Sequence, residues 1–220
     1  MISLTQIADL SSIQLDAMRE VGNIGAGHAA TVLSQLLKQK VEMAVPRVSV
    51  TPLTEAANFI GIPEKPMVGV YLRVFGDAPS KILYLYPKEQ ALFLASLLLG
   101  ETYKVRNILG EMEVSALKEI GNILTGAYVN AFSSFTKLNM ISSVPALAFD
   151  MVAAIVNTVL ADLGEVGDYA LIIETKLTTS DSNINGHFFL VPDPDSLGVI
   201  LETLGVKGEC QNSSGSGCQK

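Results

Sequence analysis

Two copies of a Glu-x-x-Asn pattern are the residues of this sequence best placed to do chemistry. Glu20 and Asn23 lie in the segment Glu-Val-Gly-Asn-Ile, and Glu119 and Asn122 lie in Glu-Ile-Gly-Asn-Ile, 99 residues later. A carboxamide can hold a water molecule by donating to it and accepting from it, and a carboxylate can bind a lysine of a docked protein. Neither copy adds a Ser-His, Cys-His or metal-ligand set. The pattern therefore suits hydrolysis of a phosphoryl group whose metal ion and electrophile are held by a partner.

The spacing of these residues predicts one polar stripe on each of two helices. Each helical residue advances by about 100°, so four residues of each copy share a narrow sector. They are Asp16, Glu20, Asn23 and Gly27 in the first copy, and Ser115, Glu119, Asn122 and Gly126 in the second. The side predicted to be buried carries Met18, Val21, Gly25, Ala29, Val32 and Leu36 in the first helix, and Leu117, Ile120, Leu124, Tyr128, Ala131 and Phe135 in the second.

A solvated helix face is the alternative interpretation of each stripe, because polar residues at positions i, i+3 and i+4 are ordinary on helices. Asn and Gly are poor residues in the middle of a helix, where each costs up to about 1 kcal/mol. The chain bears that cost twice at the same register, which favours a function. Symmetrical packing of Gly27 and Gly126 would also explain the glycines, whereas their lack of bulk would let the backbone of another protein approach.

The elements around the two patterns also repeat. Pro46 and Pro145 keep the 99-residue offset, and the segments 87–100 and 192–205 both begin with Pro and end with Leu-Gly. Each half is predicted as α-β-α-β-β-α, which for the first half is a helix at 12–40, a strand at 41–50, a helix at 54–59, a hairpin at 67–75 and 81–86, and a closing helix before Gly100. The second half is predicted as a helix at 113–138, a strand at 140–148, a helix at 152–163, a hairpin at 169–177 and 187–191, and a closing helix before Gly205.

These halves predict an α/β (α+β) fold. We expect a single pseudo-two-fold symmetric domain in which the two repeats share one mixed sheet of about six strands, with the two long helices carrying the sites. The domain is predicted over residues 1–207, with repeat one at about 10–105 and repeat two at about 106–207. Residues 208–220, which include Cys210 and Cys218, are predicted to form a flexible Gly/Ser tail.

Composition narrows the classes of function. The 220 residues are 49% hydrophobic and 17% charged, as expected for a globular chain. A net charge of −7 with 15 Lys and Arg residues argues against a nucleic-acid-binding protein. The first ten residues lack the basic segment of an export signal, and no apolar run is long enough to cross a bilayer. We therefore expect a cytoplasmic protein that acts on a protein or small-molecule partner, without membrane insertion.

The two patterns resemble the signature of the CheC, CheX and FliY chemotaxis phosphatases. That signature is Asp/Ser-x-x-x-Glu-x-x-Asn followed by twenty-two residues and Pro, and it is complete in both copies. It occurs here as Asp16, Glu20, Asn23 and Pro46, and again as Ser115, Glu119, Asn122 and Pro145. The segment Gly-Asn-Ile-Gly-Ala-Gly-His at 22–28 is also similar to CheC, and the resemblance covers about residues 10–205.

The resemblance implies a hydrolase of two-component signalling that removes the phosphoryl group of a response regulator, phosphorylated CheY. Asn23 and Asn122 would orient the attacking water, and Glu20 and Glu119 would contact a lysine of the receiver domain. The protein would have no metal or cofactor of its own, because the receiver would hold the Mg²⁺. A second implied partner is the receptor deamidase CheD.

Three further expectations accompany this interpretation. Asp16, Gly27, Ser115 and Gly126 are expected to dock the substrate. Because the fold is already pseudo-dimeric, a monomer is expected. The alternative function is a non-catalytic adaptor, namely a module that holds CheD or a component of the flagellar switch type.

Overall fold

Five helices and seven strands make up the part of the chain that the computed structural model describes, which is residues 10–52, 55, 58, 64–100, 109–160, 169–179, 182–193 and 196–205. In chain order they are α1 (Ser12–Leu37), β1 (Val41–Pro52), β2 (Pro66–Gly76), β3 (Ser80–Pro87), α2 (Lys88–Leu99), α3 (Glu111–Thr136), β4 (Met140–Ser142), β5 (Ala146–Met151), α4 (Val152–Leu160), β6 (Tyr169–Thr179), β7 (Asn183–Pro192) and α5 (Ser196–Thr203). The predicted tail at 208–220 and most of the predicted helix at 54–59 lie outside the described residues.

The predicted elements that can be compared are present, with ends that differ by a few residues. Both hairpins form, β2 with β3 and β6 with β7. Gly100 follows α2 with a φ of 87°, and Gly205 lies just beyond α5 with a φ of 76°. These positive φ angles are open to glycine without steric cost, so both closing helices end as predicted.

The two repeats exchange their first strands within one sheet. The strand order is β1-β6-β7-β3-β2-β4, and β5 also pairs with β2. Thus β1 of the first repeat pairs with the hairpin of the second, and β4 and β5 of the second pair with the hairpin of the first. The hairpins meet at β3 and β7 in the middle of the sheet. Neither repeat completes its part of the sheet alone.

The prediction of a mixed sheet is wrong, although the fold class is confirmed and the sheet has seven strands where about six were expected. Every strand pair within the described residues is antiparallel. Equivalent strands that lie side by side about a two-fold axis normal to the sheet must run in opposite directions, as β3 and β7 do. The seventh strand arises because the strand predicted at 140–148 is interrupted before Ala146. Pro145, which has no N–H, lies in that interruption.

The two long helices pack against each other on one face of the sheet. Met18 of α1 and Ile120 of α3 belong to the large buried cluster, which also contains Val70 of β2. The helices are in close contact where Gly25 faces Tyr128. A Cβ atom on Gly25 would lie 2.6 Å from Tyr128 Cδ1 and 3.1 Å from its Cα. Glycine at this position therefore sets how closely α1 and α3 approach.

Helix α4 covers the opposite face of the sheet. Val152, Ile155 and Val156 of α4 belong to a second buried cluster together with Leu83 and Leu85 of β3. Side chains alternate along a strand, so the neighbours of these leucines point to the long helices. The sheet is thus covered on both faces, and the long helices on one side leave their far surfaces free for other contacts.

Three residues predicted to be buried are exposed. Val32 and Leu36 of α1 are each 45% exposed, and Phe135 of α3 is 50% exposed. Met18 and Leu33 are both fully buried, although about 60° separates them around the helix axis. The buried side therefore turns along α1, and a stripe extrapolated from the first turns misplaces the residues of the last turns.

The contact between the long helices gives a prediction with a matched control. We expect Gly25→Ala to lower the free energy of unfolding by about 1–3 kcal/mol, because the added methyl group overlaps the buried Tyr128 ring. Gly27→Ala adds the same methyl group two residues away, where nothing lies within 4 Å of it. That control should raise the free energy of unfolding by up to about 1 kcal/mol through helix propensity. Urea unfolding measures both, and equal effects would contradict the packing role of Gly25.

Candidate functional site

The two long helices begin in the same way. Ser11 precedes α1, and its Oγ accepts a hydrogen bond from the Gln14 backbone N–H at 3.3 Å. The Ser11 N–H in turn donates to Gln14 Oε1 at 2.9 Å. At α3, the Gly110 N–H donates to Glu113 Oε2 at 3.1 Å. The pair at Ser11 is reciprocal, whereas Gly110 has no side chain and takes part only through its N–H bond to Glu113. In both cases a side chain three residues into the helix satisfies an amide group before the first turn.

The helices also end in the same way, at a lysine in the left-handed conformation. Lys38 has a φ of 52° and Lys137 has a φ of 61°, and the two lysines are 99 residues apart like the Glu-x-x-Asn patterns. Equal starts and equal ends give α1 and α3 the same length of 26 residues. The two patterns therefore lie at the same depth in two matching helices.

The structure places the predicted stripes at the surface of these helices. Asp16, Glu20, Asn23 and Gly27 are exposed on α1. On α3, Ser115, Glu119 and Asn122 are exposed and Gly126 is half-buried. A Cβ atom added to Gly27 or to Gly126 would meet nothing within 4 Å. Open space therefore lies beside each Glu and Asn pair, as expected from the absence of a side chain on Gly27 and Gly126.

The charges at the two stripes differ at their first position. Asp16 forms an ion pair with Arg19 at 2.9 Å, with both side chains at least half exposed. Ser115 replaces this carboxylate in the second copy. Within the described part of the chain, neither Glu20 nor Glu119 forms an ion pair. Both glutamates are therefore free to bind a cation presented by another molecule, whereas Asp16 already has a partner.

The two asparagines have different surroundings. The Val45 backbone N–H donates to Asn23 Oδ1 at 3.0 Å, which joins α1 to β1. Val144 is the equivalent residue of the second repeat, but no hydrogen bond to Asn122 is present among the described residues. Val45 is 3% exposed and Val144 is 87% exposed. The sites thus share their residues but differ in how the carboxamide is held.

Sequence reasoning did not identify Val45. The signal that could have found it is the constant distance between each asparagine and the Val-Pro dipeptide that follows, Val45-Pro46 and Val144-Pro145. A fixed distance between a helix and a later strand indicates a contact between them. The same dipeptide occurs in both copies, so this signal does not distinguish the site that forms the contact from the site that lacks it.

Two further searches concern the described residues alone. Among them, no group of three or more His, Cys, Asp or Glu side chains could hold a metal ion. No helix within the same ranges is long and apolar enough to cross a membrane. What the stripes offer is therefore a carboxylate, a carboxamide and open space, a set that can bind and orient but contains no nucleophile paired with a base.

Comparisons with known proteins match the segments that carry the two stripes. The CheC-like family model matches residues 13–50 and 112–148, the two segments that contain the Glu-x-x-Asn patterns. The CheY-P phosphatase CheC of Bacillus subtilis (strain 168) is 36% identical over 198 residues, which are 88% of this chain and 94% of that protein.

Two solved structures share the fold. The crystal structure of Thermotoga maritima FliY matches with a TM-score of 0.73 at 18% identity, over 89% of this chain and 98% of that chain. The middle domain of FliM from H. pylori matches with a TM-score of 0.66 at 13% identity, over 88% of this chain and 99% of that chain. At these identities the likeness shows the fold alone.

The unequal hydrogen bonding of the asparagines predicts unequal stability effects. Both Asn23→Ala and Asn122→Ala should gain about 0.5 kcal/mol of helix propensity. Asn23→Ala also leaves the Val45 N–H without its acceptor, so it should be less stable than Asn122→Ala by about 1–2 kcal/mol. Urea unfolding of the two variants measures the difference. Identical midpoints would contradict the role of Asn23 as a link between α1 and β1.

Proposed function

The chain belongs to the CheC-like family, and on that premise we propose that it is a hydrolase that dephosphorylates the aspartyl phosphate of a CheY-type response regulator. The observation that carries the proposal is the duplicated pair of Glu20 with Asn23 and Glu119 with Asn122, exposed at matching positions on two helices. The relative from Bacillus subtilis, named as a CheY-P phosphatase, supports the same substrate class.

The asparagine of each pair acts on the attacking water. A carboxamide oxygen has two lone pairs and its nitrogen has two N–H groups. Asn23 uses one lone pair for the Val45 N–H, so one lone pair and both donors are left for a water molecule and the phosphoryl oxygens. Holding the water in line replaces a bimolecular encounter by a positioned one, which is the main contribution a protein makes to phosphoryl transfer.

The response regulator supplies the rest of the reaction centre. Its receiver domain holds the Mg²⁺ and the phosphoaspartate, and this chain adds no metal ion. The oxygen of the oriented water forms a bond to phosphorus while the bond to the aspartyl oxygen breaks. The products are the aspartate carboxylate and inorganic phosphate, and the proton of the water passes to phosphate or solvent. Glu20 or Glu119 binds a lysine ammonium of the docked receiver and so fixes its orientation.

The residues beside each pair form the docking surface. Gly27 and Gly126 leave open space into which the receiver backbone fits. Asp16 lies one turn before Glu20 and forms an ion pair with Arg19. Ser115, which lies one turn before Glu119, has no charge. This difference in charge makes the two docking surfaces similar rather than identical.

Three further features belong to the proposal, and the first of them rests on the family resemblance. CheD is the second partner, and a pull-down that retains no CheD would remove it. The location is the cytoplasm, where response regulators are found. The protein acts as a monomer, because its two sites already lie on one chain.

A non-catalytic adaptor or a flagellar-switch-type module is the competing function. The fold shared with the middle domain of FliM makes it a reasonable alternative, because a fold alone does not specify a reaction. An adaptor would bind the phosphorylated regulator without changing the lifetime of its phosphoryl group. The two proposals therefore differ in one measurable rate.

The first test follows the decay of phosphorylated CheY in the presence of Mg²⁺ and this protein. We expect wild type to accelerate the decay, and Glu20→Ala/Asn23→Ala and Glu119→Ala/Asn122→Ala each to keep part of the activity. The variant with all four changes should fall to the intrinsic decay rate. Circular dichroism verifies that each variant is folded. Unchanged decay at saturating wild-type protein would refute the phosphatase and leave the adaptor.

The second test separates docking from folding. Gly27→Leu/Gly126→Leu fills the open space at both sites, and we expect it to slow the decay by roughly ten- to a hundredfold by displacing the receiver. The fold should persist, since leucine is a good helix former. Gln35→Leu, at an exposed position near the end of α1, is the control and should keep wild-type activity. Full activity of the double variant would show that the glycines do not face the substrate.

A further inference from the structure

Pro46 has a structural context that explains its fixed distance from Asn23. The pairing of β1 with β6 runs from Val41↔Thr179 to Ala44↔Lys176 and resumes at Arg47↔Glu174. Val45 and Pro46 therefore lie opposite the single residue Thr175, which is the arrangement of a β-bulge. A bulge releases main-chain groups from the ladder, and a proline has no N–H to lose. The Val45 N–H is thus available to a group outside the sheet.

Val45 lies beside two adjacent residues of α1, Gly22 and Asn23. Gly22 has no side chain, and a Cβ atom placed on it would lie 3.5 Å from Val45 Cγ2. An added methyl group would thus make ordinary van der Waals contact with Val45, so the valine lies beside the helix at Gly22 without overlapping it. Asn23 then accepts the Val45 N–H at 3.0 Å. The valine is almost completely buried, so little water competes for this hydrogen bond.

The second repeat places its equivalent segment elsewhere. The Ser143 N–H donates to the Arg73 carbonyl at 2.7 Å, and the Arg73 N–H donates to Ser143 Oγ at 3.0 Å. These bonds attach residue 143 to β2, and Val144 is left exposed. The space beside Gly121, which is the counterpart of Gly22, is occupied by Val70, whose Cγ1 would lie 2.7 Å from an added Cβ. The contact made by Val45 thus has no equivalent at Asn122 among the described residues.

We propose that the backbone N–H of Val45 is a positioning group for the first site. By occupying one lone pair of Asn23 Oδ1, it selects one orientation of the carboxamide and turns the two N–H groups of Asn23 outward. The second site has no such group among the described residues, so Asn122 becomes ordered only as the attacking water is positioned. The inference rests on the proposed phosphatase function and makes its two sites unequal in mechanism.

Preorganisation is the physical reason for this difference. A side chain that is ordered before the reaction does not lose its rotamer freedom on the way to the transition state, whereas a free side chain loses it at that point. The effect falls on the step that positions the water and not on the contacts that bind the receiver. Loss of the Val45 N–H should therefore lower kcat of the first site and leave its KM nearly unchanged.

The first arm of the test measures the hydrogen bond itself by amide hydrogen exchange, read residue by residue with NMR. In wild type, the Val45 amide should be protected and the Val144 amide should exchange at least tenfold faster. Asn23→Ala should accelerate exchange at Val45, and Asn122→Ala should leave Val144 unchanged. Equal protection of the two valines would overturn the inference, whether or not the protein is a phosphatase.

The second arm removes the N–H without changing the side chain, by replacing valine with its α-hydroxy acid so that an ester takes the place of the amide. In the Glu119→Ala/Asn122→Ala background, which keeps only the first site, the ester at 45 should lower kcat for phosphorylated CheY by roughly tenfold. Its KM should change by less than about twofold. Circular dichroism and urea unfolding confirm that the ester protein is folded under the assay conditions.

Two controls separate positioning from a general loss of structure. In the Glu20→Ala/Asn23→Ala background, which keeps only the second site, esters at 45 and at 144 should both leave kcat within about twofold. A tenfold loss at the second site as well would identify a purely structural contact and overturn the inference, as would an unchanged kcat at the first site. If neither background hydrolyses phosphorylated CheY, the proposed function fails, and the inference about kcat fails with it.

Discussion

Each long helix runs into a strand that pairs with the opposite repeat, and this exchange constrains the remaining structure. Only a short connection separates the end of α1 at Leu37 from β1, which pairs with β6. In the same way α3 leads into β4, which pairs with β2. The position of each helix is therefore set by a ladder of hydrogen bonds that its own repeat does not complete. The same ladders therefore determine where the two Glu-x-x-Asn patterns lie, because the patterns are part of these helices.

Glycine has two opposite uses on these helices. Gly25 lies where α1 meets α3, and its lack of a side chain lets the Tyr128 ring pack against the helix backbone. Gly27 lies two residues later on the free side, where the same lack leaves space unfilled. The first use allows the two helices to pack closely, and the second leaves open space beside Glu20 and Asn23. Each glycine increases the conformational entropy that α1 loses on folding. The stability of α1 therefore comes mainly from packing against the sheet.

Much of this arrangement could be predicted from the sequence, because it depends on local periodicity. The spacing of Glu20 and Asn23 predicts their common stripe, and the repetition of the pattern predicts two matching helices. The strand exchange could not be predicted, since a list of elements does not specify which strands pair. The failed prediction for Leu36 has a different cause, because burial depends on how the helix turns relative to the core.

The contrast between the two asparagines depends on tertiary structure in the same way. Both copies contain Asn, then Val-Pro at the same distance, so the sequences are equivalent there. What differs is the course of the edge strand, which bulges at Val45 and breaks at Val144. Two copies of the same residues can therefore have different surroundings, because the backbone around them follows a different course.

The exchanged strands also determine the order in which the chain can fold during synthesis. Val41 pairs with Thr179, and the hairpin of the first repeat pairs with residues of β4 and β5. When the first repeat leaves the ribosome, its β1 has no neighbour and both edges of its hairpin are open, because β7 pairs with β3 and also belongs to the second repeat. Native pairing of such distant segments is slow, and open edges attract other chains. The nascent protein must therefore keep an apolar, incomplete sheet from aggregating until most of the second repeat has been made.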